Sequence, residues 1–121
     1  MTLMKAAEAA RARAYAPYSG IKVGAAVLTA DGAVFVGVNV ENASYGVTLC
    51  AERAALAAAV AAGARDLTAI AVAGPRGTSP CGVCRQTLWE LMPRGTVAWI
   101  DNRGGLTSSD VATLLPDPFG E

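Results

Sequence analysis

The sequence contains no histidine, only three cysteines and no excess of charge of either sign. Without histidine, imidazole metal ligands, imidazole proton shuttles and histidine-based catalytic triads are excluded, so acid–base chemistry must rest on carboxylates. Lys+Arg and Asp+Glu each number 10, and the chain therefore lacks the basic character typical of a nucleic-acid binder. We expect a small polar ligand and no nucleic-acid partner.

Long apolar runs are also absent. The longest stretch without a charged residue is 54–64, which is too short to cross a bilayer as a helix. Near the N-terminus, charged residues interrupt any signal-peptide core. We expect no membrane partner and a cytoplasmic location, where cysteines stay reduced and an odd number of them suits metal binding or catalysis better than disulfides.

The 121 residues, 53% of them hydrophobic, predict a single domain over 1–121. Apolar periodicity predicts helices over 3–15, 50–62 and 81–92. Apolar, β-branched runs predict strands over 21–29, 34–40, 67–73 and 96–100, the first two joined as a hairpin by Asp31-Gly32. Residues 39–46 read as a polar loop.

The end of the chain predicts an edge strand near Leu106 and a short helix capped by Thr107 or Ser108. Strands that alternate with helices indicate an α/β fold, a three-layer α/β/α sandwich with a central mixed sheet of about five strands. The alanine-rich 54–62 segment is apolar on most faces, which predicts burial on more than one side.

All three cysteines lie in two short segments, Cys50-Ala51-Glu52-Arg53 and Pro80-Cys81-Gly82-Val83-Cys84. Three thiolates can hold one zinc ion and leave its fourth tetrahedral position open for water. Both segments fall at predicted helix starts, where free N–H groups favour the thiolate. Glu52 would then lie beside the metal and move protons without being a ligand.

Other interpretations of these residues stay open. The pair Cys81-x-x-Cys84 is also compatible with a redox dithiol. A structural zinc whose fourth ligand is a carboxylate elsewhere is a second possibility, and Glu52 as a surface residue of a first helical turn is a third.

Arg53 has an electrostatic role in the zinc hypothesis. Three thiolates and Zn²⁺ carry a net charge of minus one, which weakens the metal as a Lewis acid. An arginine that donates to a thiolate sulfur would withdraw part of that charge. Arg85, which follows Cys84, is a second candidate for the same role.

The segments Cys-Ala-Glu-Arg at 50–53 and Pro-Cys-Gly-Val-Cys-Arg-Gln at 80–86 together resemble the cytidine deaminases, in particular the short, homotetrameric, three-cysteine type. The resemblance continues through 15–19, 23–26, 39–45 and 114–116 in the same order and covers nearly the whole chain. It implies a zinc enzyme that hydrolyses cytidine and deoxycytidine to uridine and deoxyuridine in pyrimidine salvage, as a homotetramer.

The resemblance also implies roles for individual residues. Cys50, Cys81 and Cys84 match zinc ligands, one Zn²⁺ per subunit, and Glu52 matches the glutamate that shuttles protons. The remaining implied positions are Asn39 and Glu41 with Val40 between them on the ribose, the Ala51 backbone at the pyrimidine edge, Tyr45 near subunit contacts, and Phe119 stacking on the base from a neighbouring subunit. Ile21 departs from the family, which often has a stacking phenylalanine there.

Three alternative functions remain at this point. One is a related zinc deaminase, resembling blasticidin-S deaminase, that acts on another cytosine compound. Another is a polynucleotide deaminase, which the neutral charge balance disfavours. The last is a non-catalytic zinc module, which Glu52 and the absence of a fourth cysteine or a histidine disfavour.

Overall fold

A computed structural model describes residues 2–120 and shows one mixed five-stranded sheet. In chain order the elements are α1 (Leu3–Arg11), β1 (Gly24–Thr29), β2 (Val34–Val38), a short 3₁₀ turn (Tyr45–Val47), α2 (Ala51–Ala61), β3 (Leu67–Ala73), α3 (Gly82–Leu91), β4 (Thr96–Ile100), β5 (Leu106–Asp110) and α4 (Val111–Leu114). The strand order is β2-β1-β3-β4-β5, with β3 and β4 parallel and the other pairs antiparallel.

Helices cover both faces of the sheet because successive strand residues point to opposite sides. On one face, α1 buries Ala7 against small side chains of β1 and β3. On the other face, Leu56 of α2 and Leu88 of α3 pack with Ile70, among other core residues. The predicted three-layer α/β/α sandwich is confirmed.

Two glycines allow helices to approach the sheet at backbone distance. A Cβ built on Gly37 of β2 would lie 2.2 Å from the backbone nitrogen of Ala55 in α2. A Cβ on Gly24 of β1 would lie 2.2 Å from the carbonyl oxygen of Ala7 in α1. Because real Cβ atoms do not tolerate such distances, these glycines fix how close α2 and α1 sit on the sheet.

The N-terminal helix is shorter than predicted. It ends at Arg11, and Tyr15 instead forms a parallel bridge with Val40. The Tyr15 N–H donates to the Asn39 carbonyl at 3.0 Å, and the Glu41 N–H donates to the Tyr15 carbonyl at 2.8 Å. The prediction of a helix to residue 15 is wrong because this long-range pairing replaces local helical hydrogen bonds.

Two further predictions are corrected. Thr107 and Ser108 lie in β5, paired with Trp99 and Ala98, so neither caps the last helix; its cap residue is Asp110.

The prediction that the alanine-rich segment is buried on more than one side is wrong for the single chain. The buried residues of α2 are Ala51, Glu52, Ala55, Leu56 and Ala59. Its outward alanines are exposed.

Other boundaries agree closely with the sequence prediction. The β3 and β4 limits match, and the β1–β2 hairpin turns at Asp31-Gly32, where Gly32 has a φ of 92°. The strand β1 begins later than predicted, at Gly24. Across residues 2–120, no helix combines the length and the apolar character that a membrane crossing requires.

Candidate metal centre and active site

The three cysteines meet at the starts of two helices on the same side of the sheet. Cys50 is the N-cap residue of α2 and Cys81 is the N-cap residue of α3, with Cys84 in the first turn of α3. The three Sγ atoms lie within 4.8 Å of one another, and those of Cys50 and Cys81 are 3.8 Å apart. Cys84 is buried, Cys50 is half-buried and Cys81 is exposed.

This donor set fits zinc. A Zn–S bond length of about 2.3 Å with tetrahedral angles places two sulfurs about 3.8 Å apart, in agreement with the Cys50–Cys81 distance. No disulfide joins the three, which are all free thiols. Among residues 2–120 they form the one group of at least three cysteine, aspartate, glutamate or histidine side chains with this proximity.

The surroundings favour a thiolate at Cys50. Its pKa falls to about 5, first because the Cys84 thiol donates to its sulfur and then because the Arg53 guanidinium lies beside it. The same hydrogen bond, together with burial, raises the pKa of Cys84. Since zinc binds thiolates, metal binding must displace the proton on Cys84, and zinc affinity therefore decreases as the pH falls.

Glu52 lies in the first turn of α2, two residues after Cys50, and is 4% exposed. Burial raises the pKa of its carboxyl, and the negative charge of Cys50 adds to the effect. A carboxylate with a raised pKa exchanges protons more readily near neutral pH. The interpretation of Glu52 as an ordinary surface residue does not fit this burial.

Arg53 donates to a cysteine sulfur of this cluster, as predicted. Its Nη2 donates to the Cys50 Sγ at 3.4 Å and to the Thr48 carbonyl at 3.1 Å. The prediction that Arg85 does the same is wrong. Arg85 donates to the carbonyls of Pro80 at 2.8 Å and Leu114 at 3.1 Å, so it ties the loop before Cys81 to α4.

Asn39, predicted on the ribose, is 8% exposed and has partners within the chain. Its Oδ1 accepts from the Val23 N–H at 2.8 Å, and its Nδ2 donates to the Ile21 carbonyl at 2.8 Å. One amide hydrogen and one lone pair of the side chain are left for a further partner. Asn39 therefore holds the segment that carries Ile21.

Glu41, also predicted on the ribose, likewise has hydrogen-bond partners within the chain. Its Oε1 accepts from the N–H groups of Tyr18 and Ser19, both at 3.0 Å, and its Oε2 accepts from the Ser19 hydroxyl. These hydrogen bonds, the Ser19 hydroxyl first, lower the pKa of Glu41 and keep it ionised. The sequence predicted no individual role for Ser19, because its partner lies 22 residues away.

The other predicted binding residues differ in exposure. Ala51, the first residue of α2, is 1% exposed, whereas Ile21 is 50% and Tyr45 71% exposed. The Tyr45 ring meets Tyr18 edge-on, with centroids 6.5 Å apart. Val40 exchanges backbone hydrogen bonds with Leu49 at 2.9 Å, which ties the polar loop to the residue before Cys50.

Phe119 lies apart from these residues. Its ring is 88% exposed and shares a cavity of about 290 Å³ with Trp89, Glu90 and Pro93 of α3 and the following loop. Its backbone is held by the side chain of Gln86. The sequence predicted no role for Gln86, although Gln86 is the last residue of the motif at 80–86.

The fold and the site define a class of protein: a three-layer α/β/α domain with a cysteine-only zinc site beside a buried glutamate. Residues 1–99 match the family described as the cytidine and deoxycytidylate deaminase zinc-binding region. The chain belongs to this family.

Individual relatives cover almost the whole chain. A cytidine deaminase of Halalkalibacterium halodurans is 49% identical over 97% of this chain and 91% of its own length. The crystal structure of cytidine deaminase from Burkholderia pseudomallei has a TM-score of 0.92 at 51% identity, over 98% of this chain and 100% of that one. The cytidine deaminase structure from Mycobacterium tuberculosis has a TM-score of 0.83 at 42% identity, over 98% and 95%.

Proposed function

We propose that this chain is a zinc-dependent cytidine deaminase, which converts cytidine and deoxycytidine to uridine and deoxyuridine with release of ammonia. The observation that carries the proposal is Glu52, buried at 4% exposure two residues after Cys50, beside three thiols that lie within 4.8 Å of one another. Redox or purely structural use of the thiols would not require a buried carboxyl there. The strong family match supports the same conclusion.

Cys50, Cys81 and Cys84 would hold the metal. Bound zinc supplies a Lewis acid that lowers the pKa of a water molecule from about 15.7 toward roughly 7. Glu52 would take one proton from the attacking water and deliver it to N3 of cytosine as the water oxygen bonds to C4. It would then take the second proton from the new hydroxyl at C4 and deliver it to the amino nitrogen, so that the C4–N bond breaks and ammonia leaves. Arg53 draws electron density from the Cys50 sulfur, which keeps the metal an effective Lewis acid.

Asn39 and Glu41 are the proposed contacts to the sugar. Asn39 has an amide hydrogen available for a hydroxyl oxygen, and Glu41 has a carboxylate lone pair available for a hydroxyl hydrogen. The Ala51 backbone would meet the pyrimidine edge. Ile21 would pack on the base without aromatic stacking, and Val40 would line the sugar side.

The assembly we propose is a homotetramer in the cytoplasm, each subunit one domain over 1–121 with one Zn²⁺. Several large apolar side chains are exposed in the single chain, among them Tyr45, Val47, Val83 and Phe119. The outward alanines of α2 add further apolar surface. Tyr45 would lie at subunit contacts, and Phe119 would stack on the base in a neighbouring subunit.

A substrate panel tests this function. Zinc-loaded protein is mixed with cytidine, deoxycytidine, free cytosine, cytidine 5′-monophosphate and a cytosine-containing oligonucleotide, and deamination is followed by ultraviolet absorbance and ammonia release. We expect the two nucleosides to react far faster than the other compounds, because only they offer an unmodified sugar to Asn39 and Glu41. Preference for the oligonucleotide or for free cytosine would contradict the proposal.

A related deaminase for another cytosine nucleoside is the second candidate. The departure at Ile21, where an aromatic residue would stack on the base, is the observation that favours it. A base-modified cytosine nucleoside that outcompetes cytidine by more than about tenfold in kcat/KM would establish this candidate instead.

A further inference from the structure

The side chain of Gln86 makes two hydrogen bonds to a single residue near the end of the chain. Its Oε1 accepts from the Phe119 N–H at 3.0 Å, and its Nε2 donates to the Phe119 carbonyl at 3.1 Å. A side-chain amide thereby pairs with both backbone groups of one residue, as a neighbouring strand would. Gln86 lies on α3, two residues beyond Cys84.

The arrangement fixes a backbone but leaves its side chain free. The Phe119 ring is 88% exposed, more than Tyr45 at 71% or Leu106 at 67%. The exposed Phe119 ring does not stabilise the folded single chain, because its apolar area remains in water. A ring held in this way is prepared to bind another surface at a lower cost in conformational entropy.

The position along α3 directs the ring away from the subunit's own cysteines. Cys81 and Cys84 begin the helix, whereas the ring lies beside Trp89, Glu90 and Pro93. At about 1.5 Å rise per residue, Trp89 is roughly 8 Å and Glu90 roughly 9 Å beyond Cys84 along the axis of α3. This distance favours action on a second copy of the chain.

We propose that Gln86 is a positioning residue, which holds the Phe119 backbone so that the phenylalanine ring closes over the cytosine bound in a neighbouring subunit. This inference rests on the proposed function and adds to it the residue that orients the stacking group. Gln86 touches neither the base nor the metal ligands through these hydrogen bonds.

A kinetic comparison separates positioning from structural damage. Gln86→Ala should raise KM for cytidine about tenfold, the scale of a lost aromatic stacking contact, with kcat within about twofold and zinc content unchanged. Thr87→Val is the matched control, because the Thr87 hydroxyl donates only to Val83 within the same helix, and both of its constants should stay within about twofold. A fall in kcat or in zinc content without a change in KM would overturn the proposal.

A double variant tests whether the two residues act together. Without the Phe119 ring, Gln86 has no stacking group to position. The double variant Gln86→Ala/Phe119→Ala should therefore have the same KM for cytidine as Phe119→Ala alone. Multiplicative losses in the double variant would show that Gln86 acts independently of Phe119 and would overturn the inference.

Mixed assemblies test action between subunits. In a mixed assembly, a Phe119→Ala subunit keeps Glu52 and can turn over cytidine, and a neighbouring Glu52→Gln subunit can supply the Phe119 ring. If the ring acts between subunits, mixtures refolded together should therefore show a lower KM than Phe119→Ala alone. The gain should disappear when the Glu52→Gln partner also carries Gln86→Ala. Mixtures that show only the average of the two parents would contradict action on a neighbouring subunit.

Hydrogen exchange of the C-terminal peptide gives a readout that needs no substrate. The Phe119 amide should exchange more slowly in the wild type than in Gln86→Ala, because its N–H is bonded only in the former. If cytidine is not turned over but the exchange rates differ, the proposed function is wrong, while Gln86 still holds the Phe119 backbone. If cytidine is turned over but the exchange rates are equal, the inference about Gln86 fails.

Discussion

Arg53 is the residue whose charge most directly affects the cysteine cluster. Its donation to Cys50 at 3.4 Å would offset the negative charge that three thiolates place around one bound zinc ion. We expect Arg53→Gln to lower kcat about tenfold or more and to weaken zinc binding at neutral pH, since the pKa of Cys50 would rise. Steady-state kinetics and competition with a chromogenic chelator measure the two effects.

Arg94→Gln is the control for that substitution, because Arg94 is an exposed arginine beyond the end of α3. It should leave both kcat and zinc affinity unchanged. An Arg53→Gln protein with the same kcat and zinc affinity as the wild type would show that the contact with Cys50 has no electrostatic importance.

Asn39 connects two distant segments, so its substitution should affect stability as well as binding. Asn39→Ala removes the partners of the Val23 N–H and the Ile21 carbonyl. We expect the free energy of unfolding to fall by about 1–3 kcal/mol, the cost of leaving partly buried polar groups unpaired. Urea denaturation followed by circular dichroism measures the change.

Asn102→Ala provides a comparison at an exposed asparagine in the loop between β4 and β5, and it should change stability by less than about 0.5 kcal/mol. If Asn39→Ala raised KM while unfolding at the same urea concentration as the wild type, Asn39 would act through substrate contact alone.

At the scale of elements, Gly37 determines where α2 can begin. An alanine Cβ at this position would lie 2.2 Å from the Ala55 nitrogen and 2.7 Å from the Ala51 carbonyl oxygen. The helix would have to move, and Cys50 and Glu52 would move with it. We expect Gly37→Ala to destabilise the protein by about 2–3 kcal/mol and to reduce zinc binding, as measured by thermal unfolding and metal analysis.

Gly46→Ala is the matched substitution, because an alanine Cβ there would have no neighbouring atom within 4 Å and the φ of Gly46 is not positive. Its melting temperature should stay within a few degrees of the wild type. Equal melting temperatures for both variants would mean that α2 can shift without cost.

Local signals in the sequence were sufficient for some elements and not for others. The starts of α2 and α3 could be predicted because cysteine spacing and apolar periodicity coincide there. The end of α1 could not, since Tyr15 leaves the helical pattern to pair with Val40. Thr107 and Ser108 resemble helix caps in isolation, but pairing with β4 places them in a strand.

In the candidate site, too, some contacts were predictable from local sequence and others were not. The cysteines, Glu52 and Arg53 lie in two short motifs, so their association was predictable from spacing and chemistry. The additional bonds of Asn39, Glu41 and Gln86 join residues 16 to 33 positions apart. No local pattern encodes such pairs, because they depend on how β1, the polar loop and the C-terminal segment pack in three dimensions.

At the scale of the whole molecule, the exposed apolar side chains predict self-association. Contiguous apolar surface in water is unfavourable unless a partner covers it. We expect native mass spectrometry to show a species of about four times the 12.3 kDa chain mass at micromolar concentration. A monomer with full activity would contradict the proposed homotetramer and the role of Phe119 between subunits.

The most direct test of the proposed mechanism compares the wild type with Glu52→Gln at equal, measured zinc content. Cytidine absorbance and released ammonia are followed in both, with Glu90→Gln as a control at an exposed glutamate of α3. We predict rapid turnover by the wild type and the control, and a loss of at least about 10²-fold in Glu52→Gln. Near-normal turnover by zinc-loaded Glu52→Gln would contradict the assignment of Glu52 as the group that moves the protons.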